Sequence, residues 1–372
     1  MRPGVALVVL VVALLAATVT GGCHKSRPVA TPLTDFSAPF VFGRFEVPVK
    51  NPLTKEGVAL GRRLFYDPRL SANGKVSCST CHIQRLAFTD GRKTSVGVSG
   101  EPLPFNSMGL ANLMWGPQHF FWNGRAPTLE EQVLVPLQHP DEMAQDLARL
   151  VKELGTDARY RKLFEIAYGE ISPSALTRAL ASFERTLISC NSRYDQFLRG
   201  EITLDAQEEL GRKLFMAHPD VKVSLRGANC IDCHSQFLTG GSSARYDGFS
   251  NNGLDDDAHL QPGLQAVTGN PAHRGMFKIP SLRNIDLTAP YMHDGRFNTL
   301  EEVLDHYDSG IKNSSTLSPL IVEADNRGAA AAGRISLHLT AAEKTAIIAF
   351  LRTLTDQEFV TTERFSDPFA RE

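Results

Sequence analysis

Apolar positions are spaced along the chain in a way that predicts helices and few strands. Residues 5–19 form an unbroken run of apolar residues and Thr behind Arg2, and small residues follow up to Cys23. A positive start, a short apolar core and a small-residue exit are the layout of an export signal over 1–22. Leu60 and Leu64 recur at i and i+4, which predicts an amphipathic helix whose apolar stripe faces the functional centre. Ser172-Pro173 is a helix start, and Leu176, Leu180, Phe183 and Leu187 then share one face, as a core-packed helix requires. Thr340 and Glu343 make a capping-box pair at the head of LTAAEKTAIIAFLRTL, predicting a closing helix. Residues 239–275, rich in Gly, Asn and Asp, predict a long surface excursion. Within it Asp255 to Asp257 read as a solvated charge run, since the EF-hand spacing is missing.

Parts of this pattern occur twice. LGRRLF at 60–65 returns as LGRKLF at 210–215, and NGRAPTLEEQVL at 123–134 is echoed by DGRFNTLEEVL at 294–304, with Trp122 and His293 in equivalent places just before. The chain is therefore expected to hold two copies of one module, residues 23–200 and 201–372. Composition is ordinary for a globular chain of 372 residues, with 42% hydrophobic residues. Lys plus Arg number 39 against 41 Asp plus Glu, so no polycationic surface predicts nucleic-acid binding. Cys23 behind Thr20-Gly21-Gly22 resembles a bacterial lipoprotein cleavage site, although that motif usually has Leu where Thr20 stands. The alternatives are ordinary cleavage nearby or retention of the segment as an anchor. Each of them places the mature chain in an oxidising, periplasmic compartment.

Four of the six cysteines form two identical constellations, Cys78-Ser-Thr-Cys81-His82 and Cys230-Ile-Asp-Cys233-His234. Two thiols three positions apart can bond both vinyl groups of one porphyrin, while the adjoining imidazole reaches the iron. A CxxC disulfide does not require the following His, and a tetrahedral zinc site would need further soft ligands nearby. Two covalently bound haem c groups are the expected cofactors. Cys190 reads as a small buried thiol on a helix.

Two exported CxxCH modules, joined by FFWNGRAPTLEEQ at 120–132, LQHPDEM at 137–143 and the long run from Lys278 to Gly310, resemble the bacterial di-haem cytochrome c peroxidase and MauG superfamily. The likeness spans about residues 45–356. It implies a mainly α-helical fold of two tandem cytochrome c-type domains with long loops, each with one covalent haem c: a peroxidatic haem in the first and an electron-transfer haem in the second. By the same resemblance His82 and His234 are proximal ligands and Trp122 lies between the haems. Gln132 and Glu142 make the distal peroxide pair, and Asn106, Thr288 and Pro290 hold a calcium ion between the domains.

Two departures carry weight. Conventional members place a distal His in the loop after the first CxxCH, where this chain has Val98, and Val cannot ligate iron. The distal ligand of the second haem, a Met in conventional members, falls at Tyr307 as in MauG, with Met292 and His306 as nearby competitors. A thioether favours ferrous iron, whereas a phenolate stabilises oxidised iron. The surface Trp of MauG two residues before the second CxxCH is Ala228 here, so MauG's own substrate is not carried over.

Peroxide cleavage needs an open iron site, a proton carrier and a polar donor at the breaking bond. The resemblance casts Glu142 as acid/base, Gln132 as the positioning donor and Trp122 as the relay. The leading expectation is a MauG-like peroxidase that consumes hydrogen peroxide and oxidises an external protein donor, or a protein side chain, by long-range electron transfer. The competing readings are a conventional cytochrome c peroxidase fed by a small cytochrome or cupredoxin, and a non-catalytic di-haem electron carrier.

Overall fold

The computed structural model describes residues 30–33, 47–115, 119–235, 248–327 and 335–370. The export-type segment and Cys23 lie outside these residues. In chain order the helices are α1 (Lys55–Tyr66), α2 (Cys78–Cys81), α3 (Leu129–Gln138), α4 (Leu147–Thr156), α5 (Ala158–Tyr168), α6 (Pro173–Arg185), α7 (Arg193–Leu198), α8 (Ala206–Met216), α9 (Gln265–Thr268), α10 (Leu300–Asp305), α11 (Pro319–Val322), α12 (Ala341–Arg352) and α13 (Gln357–Thr361). Among the described residues the one sheet is an antiparallel pair, β1 (Phe249–Ser250) with β2 (Phe277–Lys278).

The repeated LGR motif has a physical reason. A Cβ on Gly61 of α1 would lie 1.9 Å from the Ala179 carbonyl oxygen and 2.9 Å from Phe183 Cβ on α6. On α8, a Cβ on Gly211 would lie 1.9 Å from the Ala346 carbonyl oxygen and 2.9 Å from Phe350 Cβ on α12. Each glycine lets one helix backbone lie directly on another, so the same crossing is built twice. The helix starts follow the sequence signals: Ser172 accepts from the Ala175 amide, and Thr340 and Glu343 form a reciprocal capping box.

Around these crossings lie two hydrophobic clusters. Leu60, Leu64, Phe65, Leu176, Leu180, Phe183 and Leu187 are fully buried in the first. Leu214, Phe215, Ile347, Phe350 and Leu354 build the second. Burying each such side chain contributes about 1.5–3 kcal/mol. Leu60 and Leu64 face α6 in this core and line neither of the two cavities, which corrects the expectation that their stripe faces the functional centre. The two copies are also not used identically, because Leu210, the counterpart of Leu60, is 44% exposed.

Three further expectations change. Of the excursion expected over 239–275, residues 239–247 lie outside the described residues and 248–275 are not merely a surface excursion: Phe249, Asn251, Leu254 and Leu260 are buried, and β1 brings the segment onto β2. Asp255 is not simply solvated, since it accepts both terminal nitrogens of Arg296 at 3.0 Å. Cys190 lies beyond the end of α6 rather than on a helix, and its amide donates to Asp356 Oδ2.

That contact belongs to a junction. Asp356 Oδ2 also accepts from Ser189 Oγ and the Asn191 amide, while its Oδ1 accepts from the Phe359 amide. Beyond it the chain returns to the first cluster, where Phe359 and Phe365 are buried, Gln84 Nε2 donates to the Thr362 carbonyl and Tyr66 Oη to the Phe365 carbonyl. Arg283 and Asp195 add an ion pair whose side chains are 1% and 2% exposed.

Candidate functional site

The first CxxCH stands on α2, whose start is closed by a capping box between Ser77 and Thr80. Ser107 Oγ donates to the Cys81 carbonyl at 2.7 Å, pinning the end of the turn. His82 Nδ1 lies 2.7 Å from the Phe88 carbonyl oxygen. A carbonyl only accepts, so Nδ1 carries the proton and Nε2 keeps a free lone pair, the form that binds a metal. Burial also holds the His82 pKa below its ordinary value, which keeps the ring neutral. Ala87 and Phe88 present that carbonyl from left-handed backbone, at φ 51° and 64°. Left-handed non-glycine residues cost about 1–2 kcal/mol each. Here the turn is secured by hydrogen bonds between Ile83 and both Phe88 and Thr89.

Cys78, Cys81 and His82 line a cavity together with Trp122, Arg125, Gln132, Glu142 and Glu184. Gln132 projects from α3, and its Oε1 is buried with no hydrogen-bond partner. Burial raises the Glu142 carboxyl above its ordinary pKa, opposed by His139 and Arg125. Arg125 Nη2 stands 4.0 Å from Glu142 Oε1, with its guanidinium 3.6 Å from the centre of the Phe121 ring. A carboxyl able to hold or release a proton therefore shares one cavity with an unpaired amide oxygen and a cation. Among the described residues His82 is the one histidine lining it. Met108 is hydrogen-bonded to His82 through its backbone, and Met143 packs in the core.

Val98 does not line this cavity, although its neighbour Gly97 does. The Val98 amide donates to the Glu142 carbonyl at 2.9 Å, and a Cβ on Gly97 would lie 2.0 Å from the Asp141 carbonyl oxygen and 2.6 Å from Glu142 Cα. The loop thus sets the position of the Glu142 turn by direct backbone contact. Gly97→Ala should destabilise the protein by about 1–3 kcal/mol. The reaction with peroxide should slow as Glu142 is displaced, which stopped-flow mixing and denaturant titration of the same sample would check.

The second CxxCH lines another cavity with Met292 and Tyr307. His234 Nδ1 lies 3.1 Å from the Pro280 carbonyl oxygen, repeating the arrangement at His82, and burial lowers its pKa to about 4. Tyr307 sits in a π-helical turn, His306–Gly310, that follows α10. Burial pushes its phenol up to about 12. One amide serves both nearby candidates: Asn252 Nδ2 donates to Tyr307 Oη at 3.3 Å and to Met292 Sδ at 3.4 Å. His306 is turned to other use, with Nε2 3.0 Å from the Asn252 carbonyl oxygen, and it does not line the cavity.

The two cavities share a wall. Trp122, Lys278 and residues 106–109 line both of them. Trp122 Nε1 donates to the Asn106 carbonyl at 2.8 Å, and the Lys278 amide donates to the Trp122 carbonyl at 2.8 Å. Asn106, Thr288 and Pro290 all line the second cavity, where amide and carbonyl oxygens suit a hard cation. Among the described residues no cluster of three or more His, Cys, Asp or Glu would hold a metal.

Each CxxCH set offers what covalent haem c needs: two free thiols and one imidazole with an available Nε2 on the same cavity wall. Sequence reasoning did not single out Arg125, Lys278, Glu184 or Asn252. Arg125 and Lys278 lie inside motifs that were quoted, so their positions carried a signal. Glu184 and Asn252 carried none, because their importance comes from burial: Glu184 is 4% exposed, its Oε2 lacks a partner, and its pKa is raised to about 8.

Comparison with known proteins finds relatives among di-haem peroxidases. A sequence model described as di-haem cytochrome c peroxidase matches residues 55–203. The methylamine utilization protein MauG of Methylorubrum extorquens is 40% identical over 277 residues, covering 73% of this chain and 74% of that protein. A cytochrome c551 peroxidase of Nitrosomonas europaea is 34% identical over 318 residues, 84% of each chain. A crystal structure of a MauG-like protein associated with microbial copper homeostasis superposes with a TM-score of 0.78 at 38% identity, covering 90% of this chain and 99% of that one.

Proposed function

The chain belongs to the di-haem cytochrome c peroxidase and MauG family, oxidoreductases that act on hydrogen peroxide, and from that premise we propose that it is a MauG-like member, oxidising an external protein donor or a protein side chain by long-range electron transfer. The observation that carries this reading is the first cavity, where, among the described residues, His82 is the one lining histidine, Gln132 Oε1 is unpaired and Glu142 has only Arg125 and His139 as ionic neighbours, at 4.0 and 3.9 Å.

Bound haem c would supply a redox-active iron at each CxxCH, the first open to peroxide. The remaining work falls to the chain. Glu142 takes the proton from the inner peroxide oxygen and returns it to the departing one. Gln132 orients the peroxide with its amide, and Arg125 limits the cost of charge on Glu142. Trp122, on the shared wall, offers a π system between the two sites. Tyr307 Oη, held by Asn252, would be the oxygen ligand of the second site. Asn106, Thr288 and Pro290 would supply oxygens for a calcium ion at the second cavity.

We read the architecture as an export segment, 1–22, followed by modules 23–200 and 201–372, with the last residues strapped back onto the first. The two helix crossings at Gly61 and Gly211 support this division. A periplasmic location rests on the export-type segment, and a lipid anchor at Cys23 remains an expectation from its sequence context.

Met292 beside Tyr307 favours a second reading, a conventional cytochrome c peroxidase with thioether ligation and a small cytochrome or cupredoxin as donor. Mixing the resting diferric protein with H2O2 separates the two. MauG-like behaviour gives immediate oxidation by two equivalents; a reaction that waits for prior reduction supports the conventional enzyme. Tyr307→Met should raise the reduction potential of the C-terminal haem, because a phenolate no longer stabilises ferric iron. An unchanged potential would transfer the ligand role to Met292.

A further inference from the structure

Lys278 is the most anomalous charged group in the wall between the cavities. It is 4% exposed, and it lines both of them. Its Nζ donates to the His119 carbonyl and lies 5.0 Å from the centre of the Phe249 ring and 6.0 Å from that of Phe120. A carbonyl and two aromatic faces stabilise a cation but do not neutralise it. Buried charges are ordinarily paired, because an isolated ammonium in a low-dielectric interior is costly. Burial brings the Lys278 pKa down to about 7, and among the described residues no carboxylate offsets it. Close by, His293 is 4% exposed, lines the second cavity and leaves Nε2 without a hydrogen-bond partner. Its ring stacks on Phe277, the residue before Lys278, with centroids 3.6 Å apart. An ammonium without a carboxylate partner and an unpaired imidazole nitrogen therefore border the same cavity wall, and an anion placed there would pair with the ammonium.

Each CxxCH cavity is read above as a haem c site, and the following rests on that reading. Haem carries carboxylate side arms, and the shared wall is where an arm from either side can reach one lysine. We propose that Lys278 is the counter-charge for a haem propionate at the boundary of the two sites and that it sets how readily the irons exchange electrons. A positive charge held near an iron favours its reduced, less positive state. Lys278 thus raises the reduction potential of the haem whose propionate it pairs with. It acts through the propionate and is a positioning residue rather than a catalytic one.

The test is spectroelectrochemical titration of the purified di-haem protein, comparing wild type with Lys278→Met and Lys278→Arg, after haem content has been measured by alkaline pyridine haemochrome. In Lys278→Met the reduction equilibrium of at least one haem should fall about tenfold, about 59 mV for a one-electron couple. Lys278→Arg should stay near wild type. Resonance Raman propionate-bending bands should shift in the Met variant alone. Two haems per chain with Met and wild-type potentials alike, or Met and Arg variants displaced equally, would overturn the proposal, because charge would not be the cause. If Lys278→Met proves unstable, the wild-type and Arg spectra decide: propionate bands typical of a solvated carboxylate in both would overturn it. A wild-type chain without covalent haem would instead remove the haem reading itself.

Discussion

Glu142→Gln is expected to slow the reaction of the resting protein with H2O2 by roughly 10²–10⁴-fold, the usual contribution of a positioned acid/base. The substitution keeps shape and removes the exchangeable proton. Burial holds the Glu142 pKa above 4.5, with His139 and Arg125 pulling it back, so the group titrates above the ordinary carboxylate range. The carboxylate takes the peroxide proton, hence the wild-type rate should rise with pH through that raised pKa, and the Gln variant should lose this limb. Stability moves the other way. The folded state binds more protons than the unfolded one between 4.5 and the raised value, so stability falls as pH rises through that window. Glu142→Gln should flatten this slope. Stopped-flow rates and denaturant midpoints across pH check both, and a Gln variant with wild-type rate and pH profile would remove Glu142 from the chemistry.

Gly61→Ala and Gly211→Ala should each destabilise the protein by about 3 kcal/mol, at the upper end for overpacked cores. The added Cβ meets a main-chain oxygen at 1.9 Å in both cases, and a carbonyl inside a helix cannot move aside as a side chain can. Relief requires separating α1 from α6 or α8 from α12, and with them Phe183 or Phe350. Guanidinium titration followed by haem absorbance would measure it. Because the crossings belong to different clusters, each variant should disturb chiefly the haem of its own module. Wild-type midpoints for either variant would contradict the account of the repeat.

Much of the scaffold was legible because it rests on local signals. Ser172-Pro173 and Thr340–Glu343 are caps that act within one turn, and both helices begin there. The LGR repeat was visible as letters, but which atom each glycine approaches is a tertiary fact. Gln132 and Glu142 were reachable as candidates through the resemblance carried by FFWNGRAPTLEEQ and LQHPDEM, and both line the first cavity. His306 and Tyr307, adjacent in sequence, were not separable until the π-helical turn sent one to the Asn252 carbonyl and the other to the cavity. Residues 248–275 misled for a related reason: their polar, Gly-rich composition describes a loop, yet Asn251 and Asn252 work inward, through the Gly253 amide and through Tyr307. Glu184 could not be found from pattern at all, since a charge inside a core looks like any other charge in a sequence, and Lys278, though it opens a recognisable motif, gave no sign there of its burial.

The central claim is an open first iron beside a second one capped by a phenol oxygen. Electron paramagnetic resonance of the resting diferric protein tests it most directly. The account predicts a high-spin ferric signal from the His82 site next to a distinct six-coordinate signal that Tyr307→Phe alters. Two low-spin, six-coordinate haems, with the second unchanged in that variant, would contradict it.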